Sequence, residues 1–323
     1  MKLKARWALM AAACVAGVAG LAAYSGGAPP PRSRSIELNE AVKVAIPKGA
    51  REVRLWIPKP PSGGPQSTEL LGVDSPLPYA VTSEPEFGNQ TVFLRVRRPI
   101  GRTLEVRLRY RIARKLEEAF PDDKEPSAAY RIPRGLLALD DAIREIARKQ
   151  TQGMTDPVEK GRALYQYVLK RMAYDKSGQG WGRGDSIYAC RVGKGNCTDF
   201  HSLFMALAMA SGIPARFRMG LSLPEAPEGA LSDYHCWAEF YAKGSWIPVD
   251  ISEAWKNPRR AEYYFGHLDV NRVLLSTGRD IRLSPPQKGP PLNFFHRPYA
   301  EADGKPLYDI EFVRSYRDNG RRA

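Results

Sequence analysis

Cysteine is scarce in this chain. Only four of its 323 residues are cysteine, and no two of them stand at the close CxxC spacing typical of zinc-ligand pairs. Cys197, His201, His235 and Cys236 could be combined into a zinc set, but the missing close pair argues against it. The sequence therefore predicts neither a metal nor a cofactor.

Recognisable nucleic-acid-binding motifs are also missing. The chain has 49 Lys and Arg residues against 35 Asp and Glu, a formal net charge of +14, without a zinc finger or an RNP-type aromatic motif. A basic balance without such a module indicates a solvated surface that suits anionic envelope components. Nucleic acid is not expected as a partner.

Only one apolar run approaches the length of a membrane span. It covers residues 7–24, follows Lys2, Lys4 and Arg6, and precedes a proline-rich polar stretch. This order is typical of a secretory signal. We predict that residues 1–25 are a signal peptide or an N-terminal anchor, and that the protein is periplasmic or extracellular. Membrane contact is expected only through this segment.

The first half of the chain has the period of β-strands. Apolar and charged residues alternate strictly over residues 103–113, and shorter alternating runs precede them between Gly- and Pro-containing turns. One apolar and one charged face predict a small antiparallel β-sandwich over residues 36–115, with no catalytic feature. A polar linker at 117–127 separates it from a predicted second domain at 130–290.

Cys197 lies where a helix begins. Apolar residues recur at helical spacing from Phe200 onwards, and Gly212 ends the pattern, so a helix is predicted from about Asn196 or Cys197 to Ser211. A further helix is predicted over residues 136–149. The exposed N–H groups of a first turn favour an anion, which lowers the pKa of a thiol. Cys197 is therefore a candidate nucleophile.

A predicted β-hairpin brings a base and a carboxylate together. Residues 234–242 and 245–252 have strand patterns, and a two-residue turn between them makes the numbers of paired residues sum to 487. His235 and Asp250 then share one sheet face as diagonal neighbours. The same alternation predicts that Cys236 turns away from the site.

These motifs resemble the transglutaminase-like superfamily in its exported bacterial branch. The resemblance rests on Gly-Asn-Cys at a helix start, a strand beginning Tyr-His-Cys-Trp-Ala-Glu and the run Trp-Ile-Pro-Val-Asp, and covers about 156–285. It implies an α+β, papain-like core with helices on an antiparallel sheet, after the sandwich; residues 291–323 are left as a C-terminal extension. It also implies that Cys197 is the nucleophile, His235 the general base and then acid, and Asp250 the residue that fixes the imidazole tautomer.

The oxyanion site is less well defined. The backbone N–H of Cys197 is one expected donor. The superfamily's crosslinking enzymes add an upstream aromatic residue, for which Trp181 and Tyr188 are candidates without matching context. Calcium-binding features of those enzymes are not visible.

Three function classes follow from the resemblance. The first is a cysteine hydrolase that cleaves peptide or isopeptide amide bonds in envelope proteins or wall peptide. The second is a protein-glutamine acyltransferase, in which an amine resolves the same thioester. The third is a non-catalytic envelope binding protein, which a complete triad argues against. A peptide or protein is the expected partner.

Two residue types keep open alternatives. Without Cys14 of the signal segment, an odd number of cysteines remains: Cys190, Cys197 and Cys236. Cys190 and Cys236 either form a disulfide that leaves Cys197 free or pack in the core. His201 either lines the cleft or satisfies a buried hydrogen bond.

Overall fold

A computed structural model describes residues 31–122 and 126–319. The predicted signal or anchor segment, residues 1–25, lies outside the described residues. Within the described ranges, no helix has the length and apolarity needed to cross a membrane. Residues 31–122 and 126–319 belong to one compact unit.

The described chain is mixed α and β, which confirms the predicted α+β class. The strands are β1 Ser33–Ala45, β2 Glu52–Lys59, β3 Gln66–Asp74, β4 Tyr79–Ser83, β5 Gln90–Arg97, β6 Thr103–Lys115, β7 Glu117–Glu118, β8 Phe120–Pro121, β9 Ala173–Tyr174, β10 Lys194–Gly195, β11 Ala215–Ser222, β12 Glu228–Ala230, β13 His235–Ala242, β14 Ser245–Val249, β15 His267–Leu268, β16 Arg272–Thr277, β17 Tyr299–Ala302, β18 Lys305–Leu307 and β19 Ile310–Asp318. The helices are α1 Asp141–Gln150, α2 Pro157–Arg171, α3 Ser186–Val192, α4 Cys197–Ala210 and α5 Ile251–Lys256.

Two antiparallel five-stranded sheets form the sandwich. Their strand orders are β12-β19-β1-β6-β3 and β18-β17-β2-β5-β4. In β6 every second residue is buried, because alternate side chains point to opposite faces of a sheet. Leu38 and Leu108 from one sheet and Leu55 and Leu94 from the other lie in one apolar core.

The C-terminal segment supplies strands to this sandwich. β17 pairs with β2, and β19 pairs with β1 along nine residues. The segment predicted as a separate extension at 291–323 therefore contributes to both sheets. Short β12, from the middle of the chain, pairs with the outer edge of β19.

Helix α4 is the centre of the second layer. Of its residues only Ala210 is not buried, and its aromatic residues pack on the sheet of order β16-β11-β13-β14-β8. The rings of Phe204 and Phe240 are 5.9 Å apart. The observed helix, capped by Asn196 and Ser211, confirms the predicted bounds.

The first predicted helix begins later than the sequence pattern indicated. It was predicted over 136–149, whereas α1 spans Asp141–Gln150. Asp140 is the N-cap, and its carboxylate accepts a hydrogen bond from the Ile143 N–H at 3.0 Å. Because an aspartate in this position satisfies a free amide of the first turn, it determines where the helix starts.

The predicted hairpin register is confirmed. β13 and β14 pair from Ala242 with Ser245 to Ala238 with Val249, and each pair of numbers sums to 487. Lys243, at a φ of 51°, and Gly244, at 74°, form the two-residue turn. Positive φ at both positions matches the right-handed twist of the strands.

Candidate active site

The start of α4 is held by reciprocal capping. The Asn196 side chain accepts a hydrogen bond from the Thr198 N–H at 2.9 Å, and the Asp199 carboxylate accepts one from the Asn196 N–H at 3.0 Å. Such a capping box satisfies the free amides of a first helical turn. Cys197 is the first residue of the helix. The structure therefore places its side chain at a fixed helix N-terminus.

Asp199 also anchors the glycine-rich loop before the helix. Its carboxylate accepts hydrogen bonds from the N–H groups of Gly182 at 2.7 Å and Gly184 at 3.1 Å. A Cβ at Gly195 would lie 2.2 Å from an Asp199 oxygen, so only glycine fits there. Asp199 thus joins the loop, the N-cap Asn196 and α4.

His235 and Asp250 meet as the hairpin predicted. His235 Nε2 lies 2.7 Å from Asp250 Oδ2, which confirms the predicted hydrogen bond. His235 is 5% exposed and Asp250 is fully buried. Asp250 follows the last residue of β14 and caps α5 by accepting a hydrogen bond from the Glu253 N–H at 3.1 Å. Its position is therefore determined by both a strand end and a helix start.

A buried arginine shares the same carboxylate. Arg272 Nε donates to Asp250 Oδ2 at 3.1 Å, and Arg272 Nη1 donates to Asp269 Oδ1 at 3.3 Å. Burial alone would raise the pKa of Asp250, but the charges of His235 and Arg272 hold it well below its usual range. The carboxylate is therefore ionised, and sequence reasoning did not identify this arginine.

The same charge changes the titration of the imidazole. Burial would lower the pKa of His235 and the Arg272 charge acts in the same direction, but the Asp250 charge and hydrogen bond raise it to about 9. At neutral pH His235 is therefore an imidazolium.

The sulfur of Cys197 lies beside two side chains that stabilise a thiolate. Hydrogen bonding by the Cys236 side chain, against the effect of burial, lowers the pKa of the Cys197 thiol well below its usual value, and His235 adds a hydrogen bond and a charge. Cys197 is only 3% exposed. The structure thus brings all three predicted site residues together.

The predicted orientation of Cys236 was wrong. Cys236 does not turn away from the site, because α4 packs on the sheet face that Cys236 shares with Phe240. His235, as the first residue of β13, reaches the sulfur from the strand end. Of the two alternatives for Cys190 and Cys236, the disulfide is excluded, since Cys190, Cys197 and Cys236 are all free thiols. The alternative of core packing describes both Cys190 and Cys236, which are buried in one apolar cluster.

Two tyrosines that sequence reasoning missed stand near the sulfur. Burial, and then a negative charge on Cys197, raise the pKa of both Tyr174 and Tyr234. A parallel pairing of β9 with β10 brings Tyr174 there, and a pairing of two-residue strands leaves no sequence signal. Tyr234 directly precedes His235, and that position was the available signal.

The other singled-out residues lie elsewhere or in supporting positions. The described contact of Trp181 is with Lys176, and Tyr188 packs near Gly180. His201 satisfies buried hydrogen bonds, as one of its two alternatives predicted. Within residues 31–122 and 126–319, no group of three His, Cys, Asp or Glu side chains is arranged to hold a metal.

Comparisons with known proteins identify the family of one segment of the chain. Residues 144–251, which contain Cys197, His235 and Asp250, match the family model of the transglutaminase-like superfamily. A Haemophilus influenzae protein described as uncharacterized is 28% identical over 85% of this chain and 88% of its own length.

A solved structure shares the fold of this chain. A crystal structure described as "a Putative Cysteine Protease from Cytophaga hutchinsonii" is 14% identical, with 90% of this chain and 99% of that chain covered and a TM-score of 0.54. The periplasmic domain of TgpA from Pseudomonas aeruginosa is 17% identical over 72% of this chain and 91% of its own, with a TM-score of 0.33, too low for a structural argument.

Fold and site together define an α+β protein with a helix-borne cysteine facing a strand-borne histidine. Its motifs and the matched segment identify a transglutaminase-like superfamily domain at residues 144–251. This supports a cysteine hydrolase or transglutaminase-like function in general terms.

Proposed function

We propose that the protein is an exported cysteine hydrolase that cleaves peptide or isopeptide amide bonds through a thioester intermediate. The observation that carries the proposal is the Cys197 thiol, with a lowered pKa, beside the His235 imidazole, whose pKa is raised to about 9 and which is hydrogen-bonded to Asp250. Two adjacent groups whose pKa values are shifted in opposite directions are typical of a nucleophile and its base.

The chemistry follows from these protonation states. The Cys197 thiolate attacks the carbonyl carbon, and the imidazolium of His235 donates its proton to the departing amine. Neutral His235 then takes a proton from water, whose oxygen attacks the thioester and releases a carboxylic acid and Cys197. Because Asp250 occupies Nε2, the other ring nitrogen, Nδ1, exchanges these protons.

An oxyanion would form beside the helix N-terminus. Among the described residues the Cys197 amide N–H has no hydrogen-bond acceptor, so it is available to the oxyanion. The neutral hydroxyl groups of Tyr174 and Tyr234 are candidate second donors, since their raised pKa values keep them protonated. Trp181 and Tyr188 have no described contact with Cys197.

The substrate class follows from charge and compartment. Removing the charges of Lys2, Lys4 and Arg6 leaves 14 − 3 = +11 on the remaining chain. A basic surface favours an anionic partner, so we propose a peptide or protein substrate in the cell envelope. The signal-like segment at 1–25 supports a periplasmic or extracellular site of action, with or without an N-terminal anchor.

The test is selective labelling of the nucleophile. Iodoacetamide at mildly acidic pH, followed by mass mapping, is expected to modify Cys197 well before Cys190 or Cys236, and His235→Ala is expected to slow that reaction. Equal reactivity of all three thiols would contradict the proposal. Incubating peptide substrates with and without an added amine then separates hydrolysis, with a free carboxylate as product, from acyl transfer, with a new amide.

A further inference from the structure

A fully buried histidine touches all three segments that carry the proposed triad. His201 Nδ1 lies 2.7 Å from the backbone carbonyl of Cys197 and 3.7 Å from the sulfur of Cys236, the residue after His235. On the other side of the ring, Nε2 accepts a hydrogen bond from the N–H of Ile251, the residue after Asp250, at 3.0 Å. The proposed chemistry gives this side chain no role.

The backbone determines the tautomer of His201. A ring nitrogen that accepts a hydrogen bond carries no proton, so the Ile251 N–H requires an unprotonated Nε2. The proton of the neutral ring is then on Nδ1, which donates to the Cys197 carbonyl. Burial lowers the pKa of His201, which agrees with a neutral ring.

The tautomer in turn directs the thiol proton of Cys236. Because Nδ1 of His201 already carries a proton, it cannot accept the S–H of Cys236. The neighbouring acceptor is the Cys197 sulfur, with which Cys236 is hydrogen-bonded. Cys236 itself is fully buried and keeps its proton, since burial and the Cys197 charge raise its pKa well above the usual value.

We propose that Cys236, oriented by His201, is a positioning residue that donates its S–H to the Cys197 thiolate. The inference rests on the proposed function, because it assumes that Cys197 is the nucleophile. It assigns the thiolate a second donor besides the imidazolium. The ionisable groups around the two sulfurs are Tyr174, Asp199, His201, Tyr234, His235, Asp250 and Arg279.

The experiment measures the rate of Cys197 alkylation by iodoacetamide from pH 4 to 10, by mass mapping of the full-length protein. A hydrogen bond to a charged acceptor corresponds to about one or two pKa units. Cys236→Ala is therefore expected to move the midpoint up by about one unit or more, so that labelling below it slows about tenfold. The rate at high pH should stay the same.

Two further variants serve as controls. Cys236→Ser keeps a donor and should recover most of the shift. Cys190→Ala, the matched control, should not move the profile.

Two variants of His201 test the orientation step. In His201→Asn the side-chain amide N–H takes the place of Nδ1, keeps the Cys197 carbonyl occupied and leaves the profile in place. In His201→Gln the amide oxygen takes the place of Nε2, and the freed carbonyl competes for the Cys236 proton, so the midpoint moves up. Thermal melting confirms that each variant is folded.

The possible failures are distinguishable. A wild-type protein that shows no low-pH labelling of Cys197 overturns the proposed function. A wild-type profile with a low midpoint that Cys236→Ala leaves unchanged, in folded protein, overturns the inference alone. Equal profiles for His201→Asn and His201→Gln overturn the orienting role of His201.

Discussion

Replacing Asp250 by Asn should reverse the direction in which the pKa of His235 is shifted. The pKa of His235 is raised from 6.5 to about 9, and the largest contribution that raises it is the charge of Asp250. Asn keeps the shape of Asp but carries no charge. Burial and the Arg272 charge, which lower the pKa, then outweigh the smaller effect of the hydrogen bond to Cys197, which raises it. In Asp250→Asn we expect His235 to titrate below 6.5, a decrease of more than two units, or roughly 3 kcal/mol at about 1.4 kcal/mol per unit.

The raised pKa of His235 makes the free energy of unfolding depend on pH. A pKa that is raised on folding stabilises the protein fully below the unfolded value of about 6.5, and this contribution is lost as pH rises through about 9. The wild type should therefore exceed Asp250→Asn in free energy of unfolding most strongly below pH 6.5. The difference should shrink towards pH 9 without vanishing, because Arg272 also loses a charged partner.

The titration can be observed directly by NMR. The chain has four histidines, so selective 13C-histidine labelling gives few signals, and His235→Gln identifies the relevant one. Asp269→Asn is the matched control, since it removes a different charged partner of Arg272 without touching His235. The same titration in Cys197→Ala separates the effect of the thiolate. A wild-type His235 signal that titrates near 6.5, or a value near 9 in Asp250→Asn, would refute the reasoning.

Two further substitutions test the packing around the site. Gly161→Ala puts a Cβ about 2.5 Å from the Phe240 ring and should lower the free energy of unfolding by about 1–3 kcal/mol. In Gly229→Ala the nearest neighbour of the new Cβ is 3.7 Å away, so this control should change the stability little; thermal melts measure both variants. Glu239→Gln removes the buried partner of Arg216 and Arg218 and should cost about 3–5 kcal/mol in denaturant titrations. Exposed Glu145→Gln should change it little, and equal effects of the two glutamate variants would contradict this account.

Local rules made the centre of the site predictable from sequence. The start of α4 follows from Asn196 and the apolar spacing after it, and the observed cap agrees. The hairpin register follows from a two-residue turn and from strand alternation, and these two rules bring His235 to Asp250. Each of these inferences needed only residues close together in the chain.

Contacts between distant segments were not predictable in the same way. Alternation places Cys236 on the face opposite to His235, but it does not say which face α4 covers. Tyr174 reaches the site through a two-residue parallel pairing, which has no sequence pattern. Arg272 lies in a buried strand. From the sequence it would be expected at the surface, because arginine is rarely buried without a charged partner. Its partner Asp250 is 22 residues away.

The position of the C-terminal segment bears on the role of the sandwich. The sequence predicts a sandwich with no catalytic feature. In the structure, the His296 ring lies 4.6 Å from the ring of Tyr234, whose hydroxyl accepts a hydrogen bond from the side chain of the helix cap Asn196 at 3.0 Å. Desolvation and then the charge of Arg314 lower the pKa of His296 to about 3, so this ring is neutral at physiological pH.

The contacts continue into the sandwich. Arg314, on β19, donates to the His296 carbonyl at 3.3 Å and to the buried Glu40 of β1 at 2.6 Å. A series of direct contacts therefore leads from a buried ion pair in the sandwich to the cap of α4. Tyr234, which lies near Cys197, therefore packs against a residue that a buried ion pair of the sandwich contacts. The sandwich thus supports the geometry of the site directly, and a role as a spacer alone does not account for these contacts.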